Sequence, residues 1–393
     1  MQIDGHHTAT YVAARIAGFS YGDAQTIAYA AQYVDDATNA GLIRFRQSRY
    51  LYSRIASAHK MVDYNNFVDV ENHLAWIPFH FLPGNGLLPA GETPQGGEME
   101  KLACRPDSHV ARDMLRYAAR ERDMDRGLHR LGIAMHVYAD TFSHQGFVGS
   151  LCIANQVKNM TSGDDELDRR IREFTKAELL DSVKSNIRNF FQVLGKAFSL
   201  MWFERKLPTA FISDFMHKNP VGHAAADVYP DHPYLHWQYT DYRNQLIKRD
   251  NPATFMKAVE MMAKAMQAWR AGDVEMHLER QPGLQEADRQ VLDRLIRNTV
   301  DLDGERRRQD WLAAIGRGEF SFGNEVPVYI AKGVGSWKEA ALGTREETDT
   351  GLEQFAYTEA FLVSHWKHFH DALQRHRSDV VHEILPRYGI CAA

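Results

Sequence analysis

The chain has 393 residues, with 46 Lys and Arg against 51 Asp and Glu, so its formal net charge is −5. Hydrophobic residues make up 44% and charged residues 25% of it, a composition that excludes a disordered chain and a disulfide-stapled miniprotein. The slight acidity also argues against nucleic-acid binding through a basic surface. Histidine is unusually frequent, with 19 copies, and it is the commonest metal ligand.

Helical periodicity dominates the sequence. Two other segments stand out: residues 81–107 are a Gly- and Pro-rich loop of a length that is usually functional, and residues 319–344 are the only strand-like stretch. We therefore predict a mainly α fold. The predicted helices cover residues 8–17, 21–39, 108–118, 125–144, 166–204, 253–272, 284–300, 304–315 and 352–385.

The sequence shows no export or membrane signal. No run of 18 apolar residues is present, which predicts no transmembrane segment. The first residues lack the cationic and apolar regions of a signal peptide. Three widely spaced cysteines favour reduced thiols. We expect a cytoplasmic protein, or one exported by a route that needs no signal peptide.

The densest group of candidate ligands is His136, Asp140 and His144. At about 100° per residue, positions i, i+4 and i+8 are offset by only about 40° each, so the three side chains share one helical face. A single His/Asp pair at this spacing is more often a satisfied polar pair. Three in register on an otherwise apolar helix favour a metal site.

Further His and Asp residues repeat this theme. His223 and Asp227 have the same i, i+4 spacing, with alanines between them. The adjacent carboxylates Asp35 and Asp36 lie near a helix C-terminus, where they oppose the helix dipole and so require a nearby cation. His80 lies within an apolar segment, where a single histidine is by default a core residue with its hydrogen bonds satisfied. Asp4 and His6 (or His7), before the first helix, are the last candidates.

In order and spacing, these residues resemble the zinc-dependent phospholipase C family, which is related to the fungal zinc nucleases that cut single strands. The likeness covers about residues 1–245 and is greatest to the signal-less phosphatidylcholine-hydrolysing phospholipases C of Gram-negative bacteria. It implies a multi-helix catalytic domain at residues 1–245. Residues 246–393 would be a mostly helical C-terminal extension that contains the small strand-like segment.

The resemblance also implies a ligand set for two or three Zn²⁺ ions. Smaller secreted relatives use the amine of an N-terminal Trp as one ligand, and Asp4 is our candidate to replace it here. Among the other acids, Asp227 would bind the second ion, and Asp140 would bridge the first and third. One metal would be held by Asp35 or Asp36, His80, His136 and Asp140, a second by His144, His223 and Asp227, and a third by the Asp4/His6 region with Asp140.

Mixed His and carboxylate sites suit Zn²⁺. The implied activity is hydrolysis of the glycerol-side phosphodiester of phosphatidylcholine-like lipids by a metal-activated water, with Asp140 and one of Asp35 and Asp36 taking part in catalysis. The expected partners are a phospholipid substrate and a membrane surface that the protein contacts peripherally. Two alternatives stay open: a nuclease or other phosphodiesterase on the same metal cluster, and a non-enzymatic helical binding protein with structural histidines.

Overall fold

The computed structural model describes residues 1–46, 48–59, 69–194, 221–345 and 354–392, and it is mainly helical, as predicted. A π-helical turn at Asp4–Ala9 leads into the first helix. The helices are α1 (Thr10–Ile16), α2 (Tyr21–Asp36), α3 (Asp69–Phe79), α4 (Gly97–Leu102), α5 (His109–Arg120), α6 (Gly127–Ser143), α7 (Asp165–Leu194), α8 (Asn251–Arg270), α9 (Glu286–Asn298), α10 (Gly304–Gly316), α11 (Trp337–Leu342) and α12 (His365–Ser378).

Two small sheets flank the helices. The first has the strand order β2-β1-β6, with β1 antiparallel to β2 and parallel to β6. The second is antiparallel, with the order β3-β4-β5. The strands are β1 (Gly41–Arg46), β2 (Leu51–Arg54), β3 (Lys158–Thr161), β4 (His236–Thr240), β5 (Leu246–Asp250) and β6 (Gln354–Ala356).

Several predicted elements differ from the observed ones. The last long helix begins at His365 and not at residue 352. It is capped by the Ser364 side chain, which accepts a hydrogen bond from the Lys367 backbone N–H. The Gly- and Pro-rich segment contains α4 and a short 3₁₀ turn, so it is not structureless. Residues 195–204 of the long predicted helix lie outside the described residues.

Helices α2 and α6 pack together at the centre of the molecule. Their backbones approach closely at Gly132, where an added Cβ would lie 2.4 Å from the carbonyl oxygen of Ile27. Because Gly132 is one helical turn before His136, this contact brings the predicted ligands of α6 against the C-terminal half of α2.

The two predicted domains share one core. A single cluster of buried apolar side chains contains Val12, Ala28 and Met135 together with Met262 and Ile384. Helix α8 packs on α1 and α6, and α12 packs on α6. The predicted boundary at residue 245 therefore does not coincide with a break in packing.

The strand-like stretch near residue 328 is an extended segment without a strand partner among the described residues. Residues 324–330, which we call the strap, run along α2 and are held by its side chains. Tyr21, Gln25 and Tyr29, one helical turn apart, donate hydrogen bonds to the backbone oxygens of Val326, Val328 and Ile330 respectively. The prediction of residues 319–344 as the only strand-like stretch was therefore wrong: their extended part bonds to a helix, and the six strands of the described residues lie elsewhere.

Across the described part of the chain, no helix combines the length and the apolar character needed to cross a bilayer.

Candidate metal centre

Helix α6 supplies three of the predicted ligands. His136 and Asp140 lie one turn apart on its buried face, and His144 follows as the C-cap residue. The three side chains are at most 5% exposed. The prediction that they share one face is therefore consistent with the structure.

Asp35, His80 and His136 form a first group with Asp140. Asp140 Oδ2 lies 3.3 Å from both His80 Nδ1 and His136 Nε2. Asp35 Oδ1 lies 3.9 Å and 3.8 Å from the same two nitrogens. Ligand atoms of Asp35, His80 and His136 all lie within 4.8 Å of one another, so the group could hold a metal ion.

Backbone carbonyls fix the orientation of the two imidazole rings by contacting the ring nitrogens that point away from the carboxylates. His136 Nδ1 lies 2.8 Å from the oxygen of Ala31, and His80 Nε2 lies 3.0 Å from the oxygen of Ser57. A carbonyl oxygen only accepts hydrogen bonds, so in a neutral imidazole the proton is on that nitrogen. The opposite nitrogens, His136 Nε2 and His80 Nδ1, then carry lone pairs towards the carboxylates. This backbone anchoring is typical of metal-binding histidines.

His144, His223 and Asp231 form a second group. Asp231 lies 3.3 Å from Nε2 of each histidine, through Oδ1 to His144 and Oδ2 to His223. The Nδ1 atoms of these rings again face backbone oxygens, at 2.9 Å for His144 and 2.7 Å for His223. Their Nε2 atoms are thus free to bind a metal.

A third group contains His6, His136 and Asp140. His6 lies on the π-helical turn and stacks on His136 with 3.7 Å between ring centroids. Its Nε2 atom lies 3.2 Å from Asp140 Oδ1 but out of line for a hydrogen bond, and within the described residues neither buried ring nitrogen forms one. Two unpartnered nitrogens in a fully buried ring are costly unless another ligand satisfies one of them.

The nitrogen of Met1 joins the second and third groups. It lies 2.7 Å from Asp140 Oδ1, 3.1 Å from Asp231 Oδ1 and 3.4 Å from His144 Nε2. These carboxylates raise the pKa of the amino group to about 11 against the opposing effect of burial. Asp140 therefore contacts members of all three groups.

The ionisation states favour metal binding. Burial lowers the pKa of His136 well below its usual value, which keeps the ring neutral. Burial would raise the pKa of Asp140, but His144, the Met1 amino group and His6 hold it well below the usual range. His136 therefore presents a neutral imidazole and Asp140 an ionised carboxylate, the forms that bind metals.

Asp35 is the ligand that opens to solvent. Its side chain is 34% exposed, whereas that of Asp140 is 1% exposed. Burial raises the pKa of Asp35 to about 7, with His6 opposing and Asp140 adding to the rise. Of the four side chains in the first group, that of Asp35 is therefore the most exposed.

Two predicted ligands lie outside the three groups. Asp4 was expected to replace an N-terminal ligand, but its carboxylate is buried against the guanidinium of Arg307 at 2.6 Å. The Met1 nitrogen lies beside the cluster instead, as a cation paired with Asp140 and Asp231. Asp227 was expected to supply a carboxylate beside His223; its backbone oxygen lies 2.7 Å from Nδ1 of that ring, and Asp231 supplies the carboxylate at Nε2.

Local backbone geometry explains why Asp231, and not Asp227, supplies the carboxylate beside His223. His223 and Asp227 flank a short 3₁₀ turn, Ala224–Ala226, and Asp227 has a positive φ of 56°. A second 3₁₀ turn, Tyr229–Asp231, then returns the chain to His223. The i, i+4 rule applies only to an α-helix, which these residues do not form.

The structure separates the alternatives that the sequence left open. Asp35 faces the histidines, whereas Asp36 accepts hydrogen bonds from the Tyr329 hydroxyl and Gln32 Nε2. His6 belongs to the cluster, whereas His7 accepts a hydrogen bond from Arg308. The sequence offered no signal for Met1 and only the proximity of Asp231 to the second His/Asp pair.

Comparison with known proteins gives a family but no activity. No curated protein matches the chain, and no solved structure matches it. A model of a family of unknown function, DUF6765, matches residues 1–384, which include every residue of the three groups. The chain belongs to this family of unknown function, DUF6765.

Proposed function

We propose that this protein is a metal-dependent phosphodiester hydrolase that acts on phosphatidylcholine-like phospholipids as a phospholipase C. The observation that supports it is the position of Asp140, a buried carboxylate in contact with His6, with His80 and His136, and with the Met1 nitrogen. A carboxylate shared by adjacent groups suits closely spaced metal ions.

The donor set favours Zn²⁺. The described groups contain imidazole and carboxylate donors and no thiolate. Imidazole nitrogen with carboxylate oxygen is a common ligand set for zinc, whereas Mg²⁺ and Ca²⁺ prefer oxygen alone. Asp35, His80, His136 and Asp140 would hold one ion, and His144, His223 and Asp231 a second. His6 and Asp140 would contribute ligands to a third.

Bound zinc ions supply Lewis acid stabilisation of a phosphodiester and a nucleophile from water at neutral pH. The chain positions the groups around them. Its backbone carbonyls at Ala31, Ser57 and His80 fix three imidazole rings. We assign the role of proton acceptor to Asp36, whose carboxylate is oriented by Tyr329 and Gln32 beside the exposed Asp35.

The substrate part of the proposal derives from the resemblance in ligand order. Cleavage on the glycerol side of the phosphodiester would release diacylglycerol and a phosphorylated headgroup. A nuclease on the same cluster is the nearest alternative, and a protein with structural histidines is the non-enzymatic one. A nuclease needs basic residues and stacking aromatic rings beside its cleft, which the net charge of −5 disfavours.

The experiment combines metal analysis with two hydrolysis assays. Purified protein should contain two or three zinc ions per chain and should release phosphorylated headgroup from phosphatidylcholine faster than it cuts single-stranded DNA. His136→Ala and Asp140→Asn should lower the metal content and reduce hydrolysis at least about 100-fold, because even outer-shell changes cost 10–100-fold.

A surface pair of the same spacing provides the control. Asp273 and His277 lie 3.0 Å apart at i, i+4 spacing, outside the cluster. His277→Ala should leave metal content and hydrolysis unchanged. Less than about one metal ion per chain would favour structural histidines, and faster cleavage of DNA than of lipid would favour the nuclease.

A further inference from the structure

The outer face of the β2-β1-β6 sheet is unusual for a chain of negative net charge. In β1, Ile43 and Phe45 point into the core, and Leu42, Arg44 and Arg46 point to solvent. Leu51 lies opposite Arg44 in the antiparallel pair, so it belongs to the same outer face. The described part of β6 adds Gln354 and Ala356, and thus no carboxylate.

Positive charge is concentrated in this hairpin. Residues 37–62 contain no Asp or Glu, although the whole chain has more acids than bases. Arg44, Arg46 and Arg49 are exposed, and none forms an ion pair with a carboxylate in the described parts of the chain. Within the described residues, no carboxylate therefore neutralises these three guanidinium groups.

Large apolar side chains accompany the arginines. Leu42, Tyr50 and Leu51 are 45%, 59% and 56% exposed. Exposed apolar groups that are grouped with cations usually mark an interaction surface.

The hairpin begins and ends at the candidate metal centre. Helix α2 ends at Asp36, and β1 starts at Gly41. Beyond β2, Ser57 returns to the cluster: its N–H donates to the oxygen of Ala37 and its oxygen accepts from His80. With about 3.3 Å per strand residue, the six residues of β1 extend about 20 Å from this point.

We propose that the hairpin face, defined as Leu42, Arg44, Arg46, Arg49, Tyr50 and Leu51, docks the protein on an anionic phospholipid bilayer. The proposal deepens the proposed function and rests on it for the nature of the surface. The arginines would bind lipid phosphates while their stems and the leucines enter the headgroup region. Tyr50 has the amphipathic ring that favours the membrane–water interface.

A bilayer fits this face better than a nucleic acid does. A single strand is bound by several aromatic rings on which successive bases stack. Tyr50 is the one aromatic residue in the hairpin face as defined here. Its ring is exposed but already in edge contact with Tyr357, at 4.9 Å between centroids. The leucines have no role on a nucleic-acid surface but add apolar area to a membrane contact.

The test measures sedimentation with phosphatidylcholine vesicles, with and without phosphatidylglycerol. Wild-type protein should bind the anionic vesicles more tightly, and added salt should weaken binding. Arg44→Ala with Arg46→Ala should reduce partitioning at least about tenfold, given the usual contribution of each basic residue near an anionic surface. Leu42→Ser with Leu51→Ser should reduce it on both kinds of vesicle.

A second hairpin provides a matched control. Leu246 and Lys248 are exposed on β5, in the other sheet, and Leu246→Ser with Lys248→Ala should bind vesicles as the wild type does. All variants should retain their metal content and their hydrolysis of a soluble phosphodiester, since the changed side chains lie on the surface.

The outcomes for docking and for catalysis are distinguishable. Vesicle binding by the hairpin variants equal to wild type would overturn the docking proposal, as would wild-type binding to single-stranded DNA in place of vesicles. Hairpin-dependent vesicle binding without any phospholipid hydrolysis would support docking and count against the proposed function alone.

Discussion

Nε2 of His136 lies 3.2 Å from Nδ1 of His80, and both are the nitrogens that their backbone contacts leave without a proton. Two lone pairs at this distance repel each other unless a cation lies between them. The ionised carboxylate of Asp140 adds further acceptors and no donor. This arrangement, more than the number of histidines, is the basis for inferring a metal centre.

Removal of metal should destabilise the fold. The acceptor atoms of the three groups converge in a buried space, and without cations they leave unpaired lone pairs and charge. A metal present at 1,000 times its dissociation constant contributes about 4 kcal/mol to stability. Calorimetry should therefore show a lower Tm in chelator, restored when zinc is added. An unchanged Tm, with metal loss verified, would contradict a buried metal cluster.

Asp140 and Asp231 should differ in how many metals depend on them. Asp140 contacts all three groups, whereas Asp231 contacts His144, His223 and the Met1 nitrogen. We expect Asp231→Asn to lose about one metal ion and Asp140→Asn to lose at least two, because Asn keeps the shape but removes the charge. Metal-to-protein ratios measure this directly. Equal losses in the two variants would show that Asp140 does not bridge.

The buried pair of Asp4 and Arg307 should anchor the π-helical turn that carries His6. Both side chains are at most 1% exposed, and the guanidinium also donates to the oxygen of Asp301. Arg307→Leu leaves Asp4 buried without a partner and should cost about 3–5 kcal/mol. Denaturant unfolding measures the loss.

Two further variants distinguish the unpaired charge from the loss of packing at Arg307. Asp4→Leu combined with Arg307→Leu should recover much of the stability, since no charge is left unpaired. Arg306→Ala, at the neighbouring exposed position, should have little effect. If the double variant is as unstable as Arg307→Leu, the cost comes from packing and not from the unpaired carboxylate.

Acid should destabilise the protein through His370, away from the metal centre. Burial, with a further contribution from Arg54, lowers the pKa of His370 from 6.5 to about 3. Between these values the unfolded chain binds a proton that the folded chain does not, so the free energy of unfolding falls as the pH falls from 6.5 towards 3. The slope from one proton is about 1.4 kcal/mol per pH unit.

His370→Leu should remove this part of the slope, which urea unfolding at pH 7 and pH 5 would measure as the difference from wild type. His109 is exposed at the start of α5, and His109→Leu should keep the wild-type slope. Parallel pH dependence in wild type and His370→Leu would mean that His370 is protonated in the folded chain.

Sequence reasoning worked where residues of one helix share a face. His136, Asp140 and His144 follow helical geometry, and the prediction that they lie together needed nothing outside α6. Order in the chain indicated His6 or His7, Asp35 or Asp36, His80 and His223. The structure brings His6, Asp35, His80 and His223 into the cluster. The mainly α fold followed from the same periodicity.

The remaining differences arise from contacts that local sequence does not encode. The partner of Asp4 is about 300 residues away, and no spacing rule relates Asp4 to Arg307. The change from Asp227 to Asp231 depends on two successive 3₁₀ turns, which interrupt the helical spacing that the prediction assumed. The short helix α4 in the Gly- and Pro-rich segment was not predicted, because six residues are too few to show helical periodicity.

The hydrogen bonds between the strap and α2 limit which insertions this chain can accept. Four helical residues rise about 6.0 Å, and two extended residues span about 6.6 Å. Tyr21, Gln25 and Tyr29 therefore match alternate carbonyls of the strap, with a mismatch of about 0.6 Å from one hydrogen bond to the next. A strap longer or shorter by two residues could shift by one of these hydrogen bonds and form the others again. A change of one residue would turn the carbonyls that now face Tyr21, Gln25 and Tyr29 to the opposite edge of the strap. It would also withdraw the Tyr329 hydroxyl from Asp36. Strap length is therefore restricted to steps of two residues, and the end of the strap determines how the acidic end of α2 is held.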